Sequence, residues 1–138
     1  YDRTAAGAWF GAISPDGLWA ATVAAEPDQR NTLSVQSFPN PGARYQIGVE
    51  NPQRVFWNSH VGELIVVEGG GRVVSVPVIT DGGFRQGAKR RLFQVKRNEI
   101  VQGVSPDGER ILVSVVLDVS DLISLEVVTG WEELLKGR

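Results

Sequence analysis

Ser14-Pro15-Asp16-Gly17 stands between two apolar runs, Ala8-Trp9-Phe10-Gly11-Ala12-Ile13 and Leu18-Trp19-Ala20-Ala21-Thr22-Val23. Proline in the second place presets φ at about −65°, and aspartate suits the conformation that follows. Glycine then takes positive φ without a Cβ clash. The four residues therefore encode a type I turn ending in a left-handed residue, the chemistry of a tight β-hairpin. The same four recur as Ser105-Pro106-Asp107-Gly108, between Ile100-Val101-Gln102-Gly103-Val104 and Ile111-Leu112-Val113-Ser114-Val115-Val116. The copies begin 91 residues apart, which fits two units of about 45 residues each.

A middle unit should then carry a related turn near Asn58. Val55-Phe56-Trp57 runs into Asn58-Ser59-His60-Val61-Gly62, and Glu63-Leu64-Ile65-Val66-Val67 follows. Pro and Asp are gone, Gly has moved one place, and Trp57 takes the place of Ile13 and Val104. After each hairpin a third strand is expected. In the first unit it is Asn31–Phe38, with Leu33, Val35 and Ser37 on one side by period-2 alternation. Pro39-Asn40-Pro41-Gly42 breaks it before a short outer strand at 43–47. In the second unit the Gly69-Gly70-Gly71 turn leads into Arg72–Val78; Asp81-Gly82-Gly83 and a loop to Ala88 then precede Arg91-Leu92-Phe93. In the third, Leu122–Val128 follows the loop Asp118–Asp121.

Four short strands at a period of about 45 residues match the blade of a β-propeller; a β-sandwich would not repeat one turn at a fixed period. The expected fold is all-β: a propeller segment of three four-stranded blades, over about 5–50, 51–97 and 98–128. A cap at 129–138 completes the single domain. Thr129 and Glu132 have capping-box spacing, and Trp131, Leu134 and Leu135 share a helical face, so a short C-terminal helix is expected with Trp131 on the last blade. Gly137 would end it.

The chain has 138 residues, 42% hydrophobic and 22% charged, as a globular domain has. No apolar run nears the roughly 18–20 residues of a membrane helix, and no stretch is expected to act as a signal peptide, none having a basic start and apolar core. A net charge of −2 gives no general attraction to nucleic acid or anionic membranes. The basic cluster Lys89-Arg90-Arg91 with Lys96-Arg97 reads as solvated flanks of a short strand. Zero cysteines exclude disulfides, thiol catalysis and thiolate metal sites. Methionine is also absent, so Tyr1 is expected to be internal to a longer or processed polypeptide.

The turns resemble those of TolB-like, WD-repeat-like propeller repeats of bacteria, in which W/F-S-P-D-G precedes an apolar strand. The ordered succession extends the likeness over nearly the whole chain: Val35–Gly42, Val76-Pro77-Val78, Arg91-Leu92-Phe93, Val104–Arg110 and Trp131-Glu132-Glu133-Leu134. It resembles the C-terminal propeller region attached to eukaryotic-type serine/threonine kinases of soil bacteria such as acidobacteria. What the resemblance implies is a sensor or interaction module of a larger, kinase-linked protein, in an extracytoplasmic (periplasmic or cell-surface) position. It does not imply phosphotransfer by this chain, which has no Gly-rich phosphate loop, Val-Ala-Ile-Lys, His-Arg-Asp or Asp-Phe-Gly. The middle blade departs from the pattern in lacking the Asp-Gly turn. Propellers of this kind have six or more blades, against three here.

Candidate chemistry is sparse. His60 is the lone histidine and sits on a turn, which excludes a multi-imidazole metal site. Asp16 and Asp107 read as acceptors for their own turns rather than metal ligands, and Asp118 and Asp121 as loop carboxylates lacking a full calcium loop. The Gly69–Gly71 stretch has no following Lys-Ser or Lys-Thr and is a hairpin turn, not a phosphate cradle. Trp9, Trp19, Phe56 and Trp57 are expected to pack between blades rather than stack on a ligand. The innermost strands of a propeller line its channel; here these are Ala8–Ile13, 53–57 and Glu99–Val104, and Arg54, Glu99 and Gln102 are their ligand-facing candidates.

The expected function is a non-catalytic interaction or sensor module without cofactor or metal. The alternative is a metal-dependent propeller hydrolase or lyase acting in the central channel. The propeller gate of a serine peptidase is a third possibility; it would need a catalytic domain after the blades, for which no room is expected. Two unpartnered apolar blade faces would favour self-association, as a dimer completing a six-bladed ring. The partner protein or small ligand is not specified by the sequence; nucleic-acid binding and direct membrane insertion are not expected.

Overall fold

The computed structural model describes residues 8–28, 30–58, 62–105 and 107–117, and the backbone of a strand over 123–129. Twelve strands lie in these residues, in three antiparallel sheets. The first sheet holds β1 (Ala8–Ile13), β2 (Trp19–Ala25), β3 (Asn31–Ser37) and β4 (Arg44–Gln46), paired in chain order. The second holds β5 (Pro52–Asn58), β6 (Glu63–Glu68), β7 (Arg72–Ile79), β8 (Arg85–Gln86) and β9 (Arg90–Gln94), the last two sharing the outer edge of β7. The third holds β10 (Glu99–Val104), β11 (Arg110–Val116) and β12 (Ile123–Thr129). The all-β class is as expected.

Two details differ from expectation, the first being that the third sheet has three strands rather than four among the described residues. The loop leading to Ala88 contains β8, so the second sheet has five strands rather than four. Gly82 and Gly83, at φ 74° and 127°, turn the chain back so that Arg85 and Gln86 pair with Ile79 and Val78. Thr129 is the last residue of β12, paired with Arg110. The expected helix itself, with Trp131, lies outside the described residues.

The two Ser-Pro-Asp-Gly hairpins have one geometry. Ser14 N donates to Trp19 O and Gly17 N to Ser14 O, both at 2.8 Å. Ser105 N donates to Arg110 O at 2.8 Å and Gly108 N to Ser105 O at 2.9 Å. Gly17 and Gly108 have φ of 74° and 72°, the left-handed region that favours glycine. The middle hairpin keeps the loop length, with Asn58 paired to Glu63. Its positive φ of 63° falls on Gly62, one place later, and Gly62 N donates to Asn58 O.

Burial follows which sheets face each other. Strand β6 is buried at every position, because Leu64 and Val66 pack towards the first sheet and Ile65 and Val67 towards the third. A strand covered on both faces is a continuous apolar run rather than an alternating one. In β2 only alternate residues, Ala21 and Val23, reach the core, joining Leu33 and Val35 of β3. In β11 Ile111 and Val113 join Val101, Leu92 and Phe93, while Leu112 between them points the other way and is exposed. One apolar core thus fills the first seam between sheets and a second core fills the next.

Candidate functional site

The first strands of the three sheets share an irregularity. Each pairs with its neighbour through one extra residue: Trp9 in β1, Gln53 in β5 and Gln102 in β10. A bulge of this kind bends a strand and raises its twist. Strand β5 runs close to both β1 and β10, so the three bulged strands are spatial neighbours. Arg54 Nη1 reaches the carbonyl of Val101 across this boundary at 3.5 Å.

Of the channel candidates, Arg54 reaches the backbone of β10 at Val101, the residue before Gln102. The Gln102 amide donates to Ser114 Oγ at 2.8 Å, within its own sheet. Glu99 lies at the opposite end of β10, where its carboxylate accepts the Lys96 amide at 2.6 Å. The three side chains therefore serve three separate local arrangements.

The turn residues bond within their own loops. Asp16 Oδ1 accepts the Ser14 hydroxyl and the Leu18 amide, while Ser14 Oγ accepts the Trp19 amide at 3.0 Å. Asp107, Ser105, Glu109 and Arg110 repeat the set. The serine hydroxyl, with the following amide, holds each aspartate below the usual carboxylate range. Pro106, His60, Asp118 and Asp121 lie outside the described residues. Among those described, no three His, Asp or Glu side chains gather as a metal site.

The first seam is tied by side chains from both sheets. Trp57 Nε1 donates to Ala12 O at 3.0 Å. Trp19 and Tyr45 of the first sheet enclose Phe84, which precedes β8, with ring centroids 5.6 and 5.0 Å from it. Gln86 bridges the Gly48 amide, at 3.0 Å, and the Gln46 carbonyl, at 2.9 Å. Asn31 donates from its backbone to Asn51 Oδ1 and from its side chain to Pro52 O. The expectation that Trp19 and Trp57 pack between sheets holds; the side chain of Trp9 lies outside the described residues.

At the second seam, the turn of the third sheet seats on the second. A Cβ placed on Gly108 would collide with Asn58 Oδ1 and come within 2.8 Å of its Cγ. Asn58 is buried and donates to Glu63 Oε1 at 3.1 Å.

Glu68 is fully buried at the end of β6. It accepts the Glu50 amide at 2.6 Å and Lys89 Nζ at 2.8 Å. Arg72 Nε lies 3.2 Å from the other carboxylate oxygen, but its N–H is poorly aimed and the contact is ionic rather than hydrogen-bonded. Burial pushes the carboxyl up, and the Glu50 amide, Lys89 and Arg72 together outweigh it, holding Glu68 below the usual range. Sequence reasoning missed Glu68, Phe84 and Gln86. A carboxylate closing the uninterrupted run Leu64–Val67 was the one available sign of a buried charge. Nothing local marked the other two.

The chain matches no family model and no curated protein sequence.

Proposed function

We propose that this chain is a non-catalytic interaction or sensor module, three blades of a TolB-like β-propeller that acts within a larger, kinase-linked bacterial protein. The observation that carries this is the serial seam: each sheet seats its hairpin end on the sheet before it, Trp57 on Ala12 and Gly108 on Asn58. The adjacent bulged strands β1, β5 and β10 support it, since first strands gathered side by side are what a radial array requires. The loops and strand ends around Arg54 and Gln102 are then the recognition surface, with Glu99 at the far end of the same strand. The position in the cell follows the resemblance and is extracytoplasmic.

On this reading the array self-associates, because its two end sheets expose apolar side chains, Ile13 and Leu18 on one and Leu112 on the other, that have no neighbouring sheet among the described residues. The test is the solution mass by light scattering at high micromolar concentration, with a parallel screen for turnover of lactone and sugar substrates with added divalent cations. A mass near twice 15.0 kDa without turnover is expected. Metal-dependent turnover would overturn the module reading in favour of a channel enzyme, and a mass of 15.0 kDa would overturn self-association.

A further inference from the structure

The two seams define what each sheet presents to its neighbours. Trp57 and Leu64 of the second sheet face the first, whereas Phe56, Ile65 and Asn58 face the third. Aligned on the hairpins, the matching residues of the third sheet are Val104 and Ile111 on the covered side, and Gly103, Leu112 and Ser105 on the other. The covered side packs against the second sheet as this correspondence requires. On the other side lies an open pocket of about 280 Å³, lined by Gly103, Val104, Ser105, Arg110 and Leu112. It stands where the second sheet receives the Gly108 turn. Gly103 replaces Phe56 there, which leaves the space, and no described atom lies within 4 Å of a Cβ built on Gly103.

The opposite end of the array offers the complementary shape. Ile13, the counterpart of Trp57, is 50% exposed and Leu18 is 56% exposed. Gly17 has the backbone of Gly108, yet a Cβ built on it meets no described atom within 4 Å. The charges also match. Arg110 occupies the position of Glu63, and Asp16 that of Asp107. The corresponding pair in the second seam is Glu63 with Asp107, of like charge; the new contact would join opposite charges.

We infer that the pocket beside Leu112 is the receptor for the Ser14–Gly17 hairpin of a second copy of this chain, with Ile13 entering over Gly103 and Arg110 facing Asp16. The inference rests on the serial-seam reading above and names the surfaces through which it closes. Two copies related by a two-fold axis make the contact twice and leave neither end open.

The chain contains no cysteine, so cross-linking can report the contact directly. Ile13→Cys and Leu112→Cys proteins are prepared separately, mixed, and treated with a short bismaleimide. Both sites are exposed, and circular dichroism checks that each variant folds. Covalent dimers in the mixture, absent from either protein alone, are the expected result. Arg110→Glu and Leu112→Glu should each lower the dimer fraction at least tenfold at a fixed concentration. A dimeric mass with only 13–13 or 112–112 cross-links would overturn the pocket assignment and leave self-association standing. A monomeric mass would overturn both, and an unchanged dimer in Leu112→Glu would overturn the pocket alone.

Discussion

Trp57 donates its indole N–H to the backbone carbonyl of Ala12 at 3.0 Å, which ties the last turn of β5 to the strand that opens the preceding sheet. The residue combines apolar area in the first seam with one directional bond. Trp57→Phe keeps most of the area and should cost about 1 kcal/mol, the net worth of a hydrogen bond. Trp57→Ala should cost about 3 kcal/mol, near the lower bound for aromatic truncation because the ring is only partly buried. Urea unfolding followed by circular dichroism measures both. Equal costs for the two variants would show that the hydrogen bond is immaterial.

Gly17 and Gly108 share a backbone conformation but differ in surroundings. Gly17→Ala meets only the strain of positive φ and should cost about 1 kcal/mol. Gly108→Ala must also displace Asn58 and should cost a further 1–3 kcal/mol, roughly. Asn58→Ala placed in the Gly108→Ala background should recover part of that loss. The four melting temperatures, taken at a concentration where monomer dominates, form the double-mutant cycle. Additive effects would mean that the two residues do not share a seam.

Glu68 links stability to pH. Its folded-state pKa lies below the unfolded value of about 4.3, so it contributes stability that is fully present above that value and is lost as pH falls through the folded one. Glu68→Gln leaves Lys89 and Arg72, each a third or more exposed, without their carboxylate and should cost about 1–2 kcal/mol at pH 7. The difference between the two proteins should then shrink below about pH 4 as the native carboxyl protonates. Denaturation midpoints from pH 7 to pH 3 supply the comparison. Asp16 and Asp107 are also held low but are common to both proteins and cancel. A difference that stays constant over the whole range would contradict the assignment.

The segment carrying Phe84 and Gln86 fastens the second sheet to the first. Phe84→Ala removes the ring between Trp19 and Tyr45 and should cost about 3 kcal/mol, with a red shift of tryptophan emission as Trp19 becomes wet. Gln86→Ala releases the Gly48 amide and the Gln46 carbonyl, both near solvent, and should cost about 1 kcal/mol. Hydrogen exchange should rise at Gly48 in both variants and remain unchanged at Leu112. Unaltered emission in Phe84→Ala would remove Trp19 from the cluster.

Much of the architecture was legible because its determinants are local. Pro, Asp and Gly act on their own φ and ψ, so the Ser14–Gly17 and Ser105–Gly108 hairpins could be read from four residues each. The shifted glycine of the middle hairpin, and the alternation of Leu33 and Val35, could be read the same way. Strand β8 could not, since two residues carry no periodicity and Arg85-Gln86 pairs only because two glycines return the chain to β7. Thr129 closes β12 by pairing with Arg110, 19 positions away in sequence, a contact that local spacing does not show.

The sequence alone determined the all-β class and the hairpin positions, because turn chemistry and side-chain alternation act over a few neighbouring residues. Tertiary structure decided which faces meet. A run such as Leu64-Ile65-Val66-Val67 is apolar on both sides and does not say which neighbour covers each. Only packing sends Leu64 to one seam and Ile65 to the other. Packing also gathers the backbone of Glu50 with Arg72 and Lys89 around a buried Glu68, and leaves Leu112 and Ile13 exposed. Those outcomes depend on contacts between residues distant in the chain, which no local pattern encodes.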